Sequence, residues 1–187
     1  TNLASVRQNI IENKVSYIIN CAGYTAVDRA ESEPDIAKLV NVDAASNLAV
    51  VSNEFDIPLI HISTDYVFDG EKSKPYNETD KPNPLSVYGR TKLEGEQEIL
   101  KYASKAMILR TSWLYSSYGN NFVKTIMRHG KERDRLKVVY DQIGVPTYAR
   151  NLAGFIISSL QSINHLKKPE IYHYSNEGVA SWYDFAK

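Results

Sequence analysis

The sequence predicts an α/β fold built on a doubly wound, mainly parallel sheet. Short apolar runs rich in β-branched residues alternate with longer segments of helical period. Strands and helices in alternation pair in parallel through right-handed crossovers. No repeat, low-complexity tract or long charge run interrupts the pattern. The third observation is a 22-residue stretch, 64–85, punctuated by Gly70, Pro75, Pro82 and Pro84. A connector that long inside a compact domain carries function or covers a site.

In chain order, residues 15–21 (VSYIINC) read as a buried strand. Residues 34–54 read as a helix with Ser32 as N-cap and Pro34 in the first turn. Residues 58–63 (PLIHIS) form the next strand, and residues 87–102 a helix capped by Ser86. Residues 107–111 are a strand, and residues 121–130 a helix ended by Gly130. Strands over 136–140 and 171–174 flank a helix over 151–163, and Ser181 caps a last helix.

Composition narrows the function classes. Lys plus Arg equals Asp plus Glu at 22 each, so no basic field draws the chain to nucleic acid or a membrane surface. The longest apolar runs are too short to span a bilayer, and no signal peptide is expected. Cys21 is the single cysteine and cannot pair internally, which fits a reducing cytoplasm. At the end of an apolar strand it reads as a small buried residue rather than a catalytic thiol. Thirteen tyrosines raise the aromatic share to 11%, and each offers an apolar body with a hydroxyl for a polar, planar ligand.

Ligands of open α/β sheets bind beyond the carboxyl ends of the strands. Three such ends matter: Asn20-Cys21-Ala22-Gly23, Ser63-Thr64-Asp65-Tyr66 and Arg110-Thr111-Ser112-Trp113. After the second end and the long loop come Tyr88 and Lys92, four apart on one helical face. A phenol titrates near 10, and a neighbouring ammonium lowers that toward working pH, so this pair suits proton transfer. Thr64 is placed to hold a carbonyl in line. The spacing alone is weak: with 13 tyrosines a chance pair is expected, and Tyr183 with Lys187 is one. Its weight comes from the Ser-Thr strand end and the breaker-rich loop before it. His61, inside an alternating strand, reads as a satisfied interior histidine. His129 and His173 have no metal-ligand spacing, and Asp28, Glu31 and Asp35 read as solvated or capping charges. No Gly-x-Ser-x-Gly elbow, phosphate loop or Gly-x-Gly-x-x-Gly turn is present.

The segments INCAGYTAVDRAESEP, NVDAASNLA, HISTDYVFDG, YNETDKPNPLSVYGRTKLEGE, LRTSWLY, GNNFVKT, DQIGVPTYARNLA and YHYSNEGVASWYDFA resemble the bacterial dTDP-4-dehydrorhamnose reductases, within the extended short-chain dehydrogenase/reductase superfamily. The resemblance implies an NAD(P)-binding Rossmann-like core over 1–140. Part of a smaller substrate-binding portion follows over 141–187, interleaved with the core. It implies NADPH or NADH as hydride donor and a catalytic trio of Thr64, Tyr88 and Lys92. Tyr88 would protonate the C4 carbonyl oxygen of a dTDP-sugar as hydride arrives. Asn20, Cys21, Ala22, Gly23 and Ser63 would line the cofactor together with Tyr88 and Lys92. Val27, Tyr66 and Trp113 would touch the sugar beside Thr64, with Asn121 and Arg150 toward the nucleotide. The family allows a homodimer and a Mg ion, but no residue here is assigned to a metal. Such enzymes open with a strand, a glycine-rich turn and a helix that cradle the cofactor pyrophosphate. Those elements would precede Thr1, and the family's last stretch would follow the helix that begins at Trp182. The chain is therefore expected to be a fragment of a longer enzyme, binding NADPH poorly and inactive alone. Two other readings share parts of the pattern. A nucleotide-sugar epimerase or dehydratase uses the same Tyr/Lys pair, but dehydratases place Glu where Tyr66 stands. A non-catalytic regulatory subunit of methionine adenosyltransferase shares the DYVFDG-type loop, but not RTSWLY or DQIGVPTYA.

Overall fold

A computed structural model of the protein describes residues 2–187. The elements run α1 (Leu3–Asn13), β1 (Ile18–Asn20), α2 (Val27–Ala30), α3 (Pro34–Lys38), a π-helical turn (Leu39–Asp43), α4 (Ala44–Glu54), β2 (Leu59–Thr64), a 3-10 turn (Asp65–Val67), α5 (Val87–Tyr102) and β3 (Ala106–Thr111). They continue with β4 (Leu114–Tyr115), α6 (Phe122–Glu132), β5 (Ile143–Gly144), β6 (Thr147–Tyr148), α7 (Ala149–Ile163), β7 (Glu170–His173), β8 (Ala180–Ser181) and α8 (Trp182–Ala186). The chain divides into two compact units that interleave along the sequence. Residues 1–110 and 159–173 make the first, and residues 111–158 and 174–187 the second.

The first unit holds the main sheet, ordered β1-β2-β3-β7, with β1 parallel to β2 and β3 parallel to β7. All six residues of β3 are buried, which fits the apolar run 106–109 at its start. Ala45 and Ala49 of α4, Leu59 of β2, Ile99 of α5, Ala103 just after it, and Ala106 and Ile108 of β3 form the main core. Leu59, Ile99 and Ile108 are fully buried, each contributing roughly 1.5–3 kcal/mol relative to exposure. A second cluster joins Ile10 of α1 to Val51 and Ile57.

Helix α5 approaches its neighbours unusually closely, and two glycines permit it. A Cβ on Gly89 would collide with the backbone carbonyl of Tyr66, and one on Gly95 with the carbonyl of Asn41. Those approaches seat α5 against the segment after β2 on one side and the π turn on the other. The Ser86 hydroxyl accepts from Gly89 N–H, as the sequence implied. Glu31 adds a second cap from outside the helix, its carboxylate accepting Val87 N–H at 2.7 Å.

In the second unit, β4 pairs in parallel with β6, and β5 runs antiparallel to β8. Trp113 stacks on Trp182 with ring centroids 3.5 Å apart, and Phe122 and Phe185 pack around them. Ser181 and Asp184 form a reciprocal capping box at the start of α8.

Several expectations need correction. Residues 136–140 form no strand; Val139 accepts one hydrogen bond from Tyr183 N–H but joins no ladder. Gly130 does not end its helix, which continues to Glu132. Ser32 is not the cap of the helix at Pro34: its hydroxyl turns back to Arg29 O, and Glu33 holds the cap position without a side-chain bond. The helix expected over 34–54 passes through the π turn. Strand β1 is three residues long and stops at Asn20, which leaves Cys21 exposed rather than buried. Among the described residues no helix is long and apolar enough to cross a membrane.

Candidate active site

Three elements of the first unit converge at the carboxyl ends of β1 and β2. The α5 face carrying Tyr88, Lys92 and Glu96 is buried along its length, because four-residue spacing keeps the three side chains on one stripe. Tyr88 packs beside Ala30 and Ala37, with Val27 and Tyr24 around it. The Tyr66 ring meets it edge-on at 5.5 Å and 71°, and Tyr66 itself is 40% exposed.

Burial pushes the Tyr88 hydroxyl up to about 12, with its interaction with the Thr64 hydroxyl opposing the shift. This reverses the expectation that Lys92 would lower it. The Lys92 ammonium is directed elsewhere: Nζ donates to Ile62 O at 2.6 Å and lies 3.2 Å from His61 Nε2. Desolvation therefore dominates, and Tyr88 is a protonated phenol across the neutral range. The same burial pulls Lys92 down to about 8, against the pull of the Glu96 charge.

Thr64 ends β2 and caps the 3-10 turn, its hydroxyl accepting from Tyr66 N–H and donating to Asp65 Oδ1 at 3.1 Å. Asp65 is raised to about 6 by its own burial, so a carboxyl that changes charge near neutrality sits beside Thr64. Sequence reasoning passed over it. Ser63 is buried, and its hydroxyl donates to Glu96 beneath the strand end. Asn20 is buried and holds Ala22 N–H through Oδ1, while Cys21 and Ala22 are exposed just beyond the strand. Small side chains there leave the backbone open to close approach by a ligand.

Trp113, Asn121 and Arg150 lie in the second unit. Trp113 adopts a positive φ of 44° and stacks as described. Asn121 caps α6, Oδ1 accepting Lys124 N–H and Nδ2 donating to Ser116 O at 2.7 Å. Arg150 is exposed in the first turn of α7.

The residue that sequence reasoning missed most clearly is Asn41, in the π turn and 1% exposed. Its Oδ1 accepts Tyr24 N–H at 2.8 Å, and its Nδ2 donates to Tyr24 O and to the Thr91 hydroxyl at 3.0 Å. It thereby ties the loop after β1 to the helix carrying Tyr88 and Lys92. A π turn is a frequent mark of a functional position, but no local pattern announces one. Asn41→Ala is expected to lower unfolding free energy by about 2 kcal/mol, since buried partners lose their bonds. Urea titration checks this; a loss under about 0.5 kcal/mol would remove the clasp.

The family model for the RmlD substrate binding domain matches residues 1–187. The dTDP-4-dehydrorhamnose reductase of Aggregatibacter actinomycetemcomitans is 48% identical over 188 residues, covering 100% of this chain and 64% of that protein. Its counterpart in Escherichia coli K12 is 43% identical over 189 residues, covering 100% of this chain and 62% of that protein. The crystal structure of dTDP-4-dehydrorhamnose reductase from Bacillus anthracis in complex with NADP superposes with a TM-score of 0.92 at 45% identity, over 99% of this chain and 65% of that one. The Bordetella bronchiseptica enzyme WbmG in complex with NAD and UDP superposes at 0.84 with 14% identity, over 97% of this chain and 57% of that one, and so speaks to the fold alone. The chain thus spans just under two thirds of the length of the curated relatives it matches. With its mainly parallel sheet and a family match along its whole length, the chain belongs to the RmlD substrate binding domain family.

Proposed function

We propose that this chain carries the catalytic Tyr/Lys helix of an NAD(P)H-dependent reductase that converts dTDP-4-dehydro-L-rhamnose to dTDP-L-rhamnose, a cytoplasmic step of cell-surface polysaccharide synthesis. The observation that carries the reading is Tyr88, a buried phenol meeting the Tyr66 ring just beyond β2 and one helical turn from the buried Lys92. The reductase names of relatives at 43–48% identity support it. They do not favour the regulatory-subunit or dehydratase alternatives.

The residues present fit a dinucleotide. Buried Asn20 stands at the foot of the loop after β1, and exposed Cys21 and Ala22 present backbone rather than bulk. Lys92 has three ammonium protons; two face Ile62 O and His61, leaving one for a ribose hydroxyl. When bound, the nicotinamide supplies the hydride for the C4 carbonyl carbon. Tyr88 donates its proton to the C4 oxygen, with the Thr64 hydroxyl aligning that oxygen. Val27, Tyr66 and Trp113 are assigned to the sugar, and Asn121 and Arg150 to the nucleotide. In this reading the residues around the main sheet form the dinucleotide core, the later portion serves the substrate, and the whole protein pairs as a homodimer.

The test is direct. The whole protein, given NADPH and dTDP-4-dehydro-L-rhamnose, should consume NADPH only when the sugar is present. No consumption of either NADPH or NADH would overturn the assignment.

A further inference from the structure

A buried hydrogen-bond chain crosses the site from β1 to α5. Asn20 Nδ2 lies 2.9 Å from His61 Nδ1, and Lys92 Nζ lies 3.2 Å from His61 Nε2. Asn20 and His61 face each other across the β1–β2 pairing, and all three residues are at most 5% exposed. We propose that His61 is a positioning residue for Lys92, and that its tautomer links the lysine's proton to the orientation of the Asn20 amide and hence to the loop after β1. This rests on the reductase reading for its catalytic meaning, but the linkage is a property of the three side chains themselves.

The argument is a count of donors and acceptors. An ammonium only donates, so with Lys92 charged, His61 Nε2 must accept and Nδ1 must carry the proton. Nδ1–H then needs the Asn20 oxygen. Yet Asn20 Oδ1 faces Ala22 N–H at 3.1 Å, and its Nδ2 faces the ring. In that orientation Nδ1 accepts, Nε2 carries the proton, and Lys92 must be a neutral amine to receive it. Two self-consistent states follow. The charged state turns the amide over and releases Ala22 N–H; the neutral state holds Ala22 N–H.

The imidazole itself stays neutral, because burial and then the Lys92 charge hold it well below the ordinary histidine value. Lys92 is therefore the group that changes charge, near 8. The ionisable groups acting on the pair are few. Glu96 comes from α5 and is compensated by Arg110 of β3. Tyr88 on α5 stays protonated, and Asp65, beyond β2, titrates near 6. From β1 comes only the uncharged Asn20 amide.

The decisive experiment needs no substrate and no variant. Nitrogen-15 NMR of the His61 ring, followed from about pH 6 to about pH 10, should show a neutral imidazole whose proton moves from Nδ1 to Nε2 as Lys92 loses its charge. One unchanging tautomer across that range would overturn the linkage, whatever the protein's activity. Variants then test the positioning role. His61→Leu removes the acceptor that favours the ammonium, so the alkaline limb of kcat/KM should fall by about one pH unit and the dinucleotide KM should rise. His61→Gln, whose amide oxygen accepts, should restore most of both. A folded His61→Leu protein with the wild-type limb and KM would refute positioning. If that variant fails to fold, a His61→Gln profile differing from wild type as much as a Lys92→Met profile does would refute it as well.

Discussion

Replacing Tyr88 with phenylalanine is expected to lower turnover by roughly a hundredfold or more, the usual worth of a positioned proton donor. The substitution removes one oxygen and keeps the ring, so the edge contact with Tyr66 at 5.5 Å and the packing against Ala30 and Ala37 survive. Substrate KM should therefore hold within a few-fold while kcat falls. Burial raises the Tyr88 hydroxyl to about 12, which also gives the pH dependence of stability its sign. The folded state holds the phenolic proton more tightly than the unfolded chain, which releases it near 10. Stability from this group is complete below about pH 10 and is lost as pH rises toward about 12. Tyr88→Phe should flatten that alkaline loss, and the comparison needs only unfolding curves at two pH values. If turnover stayed near wild type while the alkaline loss flattened, Tyr88 would be a buried structural phenol and another group would be the acid.

What could be read from the sequence follows from how local each signal is. Helix α5 was legible from end to end because Ser86 caps it and its buried residues recur at helical spacing. Strands β2 and β3 were legible because nearly every residue is covered, so each is apolar-rich up to a polar carboxyl end. Residues 136–140 carry equally good strand chemistry, but a strand needs a partner edge, and pairing is a long-range fact no local pattern contains. The first helix was missed for the opposite reason: its apolar pattern is faint, with only Ile10 buried, and Asn2 starts it through bonds to Ala4 and Ser5 N–H. The site divides the same way. Thr64, Tyr88 and Lys92 stood out through spacing and strand-end position. Asn41 did not, since its three bonds reach residues 17 and 50 positions away. The direction of the Tyr88 shift could not be foreseen either. It depends on where the Lys92 ammonium points, and His61 and Ile62 decide that.

Glu96 continues the Tyr88–Lys92 stripe by one more turn, and its replacement is expected to have the largest effect on stability. The carboxylate is fully buried and meets Arg110 through Nε–Oε1 at 3.0 Å and Nη2–Oε2 at 2.7 Å, while Ser63 donates to Oε1. Arg110 is 4% exposed, and its planar guanidinium also lies over the Phe68 ring at 5.1 Å. Neither charge has access to water, so each is tolerable only because of the other. Glu96→Gln keeps the shape and removes the charge, stranding a buried guanidinium at a cost of about 3–5 kcal/mol. Urea unfolding measures it, and a loss below about 1 kcal/mol would show that solvent or another group compensates Arg110. The double replacement Glu96→Leu with Arg110→Met separates pairing from packing. Because desolvating two ions offsets most of their attraction, the double variant should be more stable than Glu96→Gln alone. It should still lose activity: Glu96 raises the Lys92 value against the pull of burial. Without that charge, Lys92 deprotonates at lower pH and loses the proton it offers to the cofactor ribose. A double variant that regained stability and kept full turnover would confine the pair to structure; one that regained stability alone would tie the buried ion pair to the charge of the catalytic lysine.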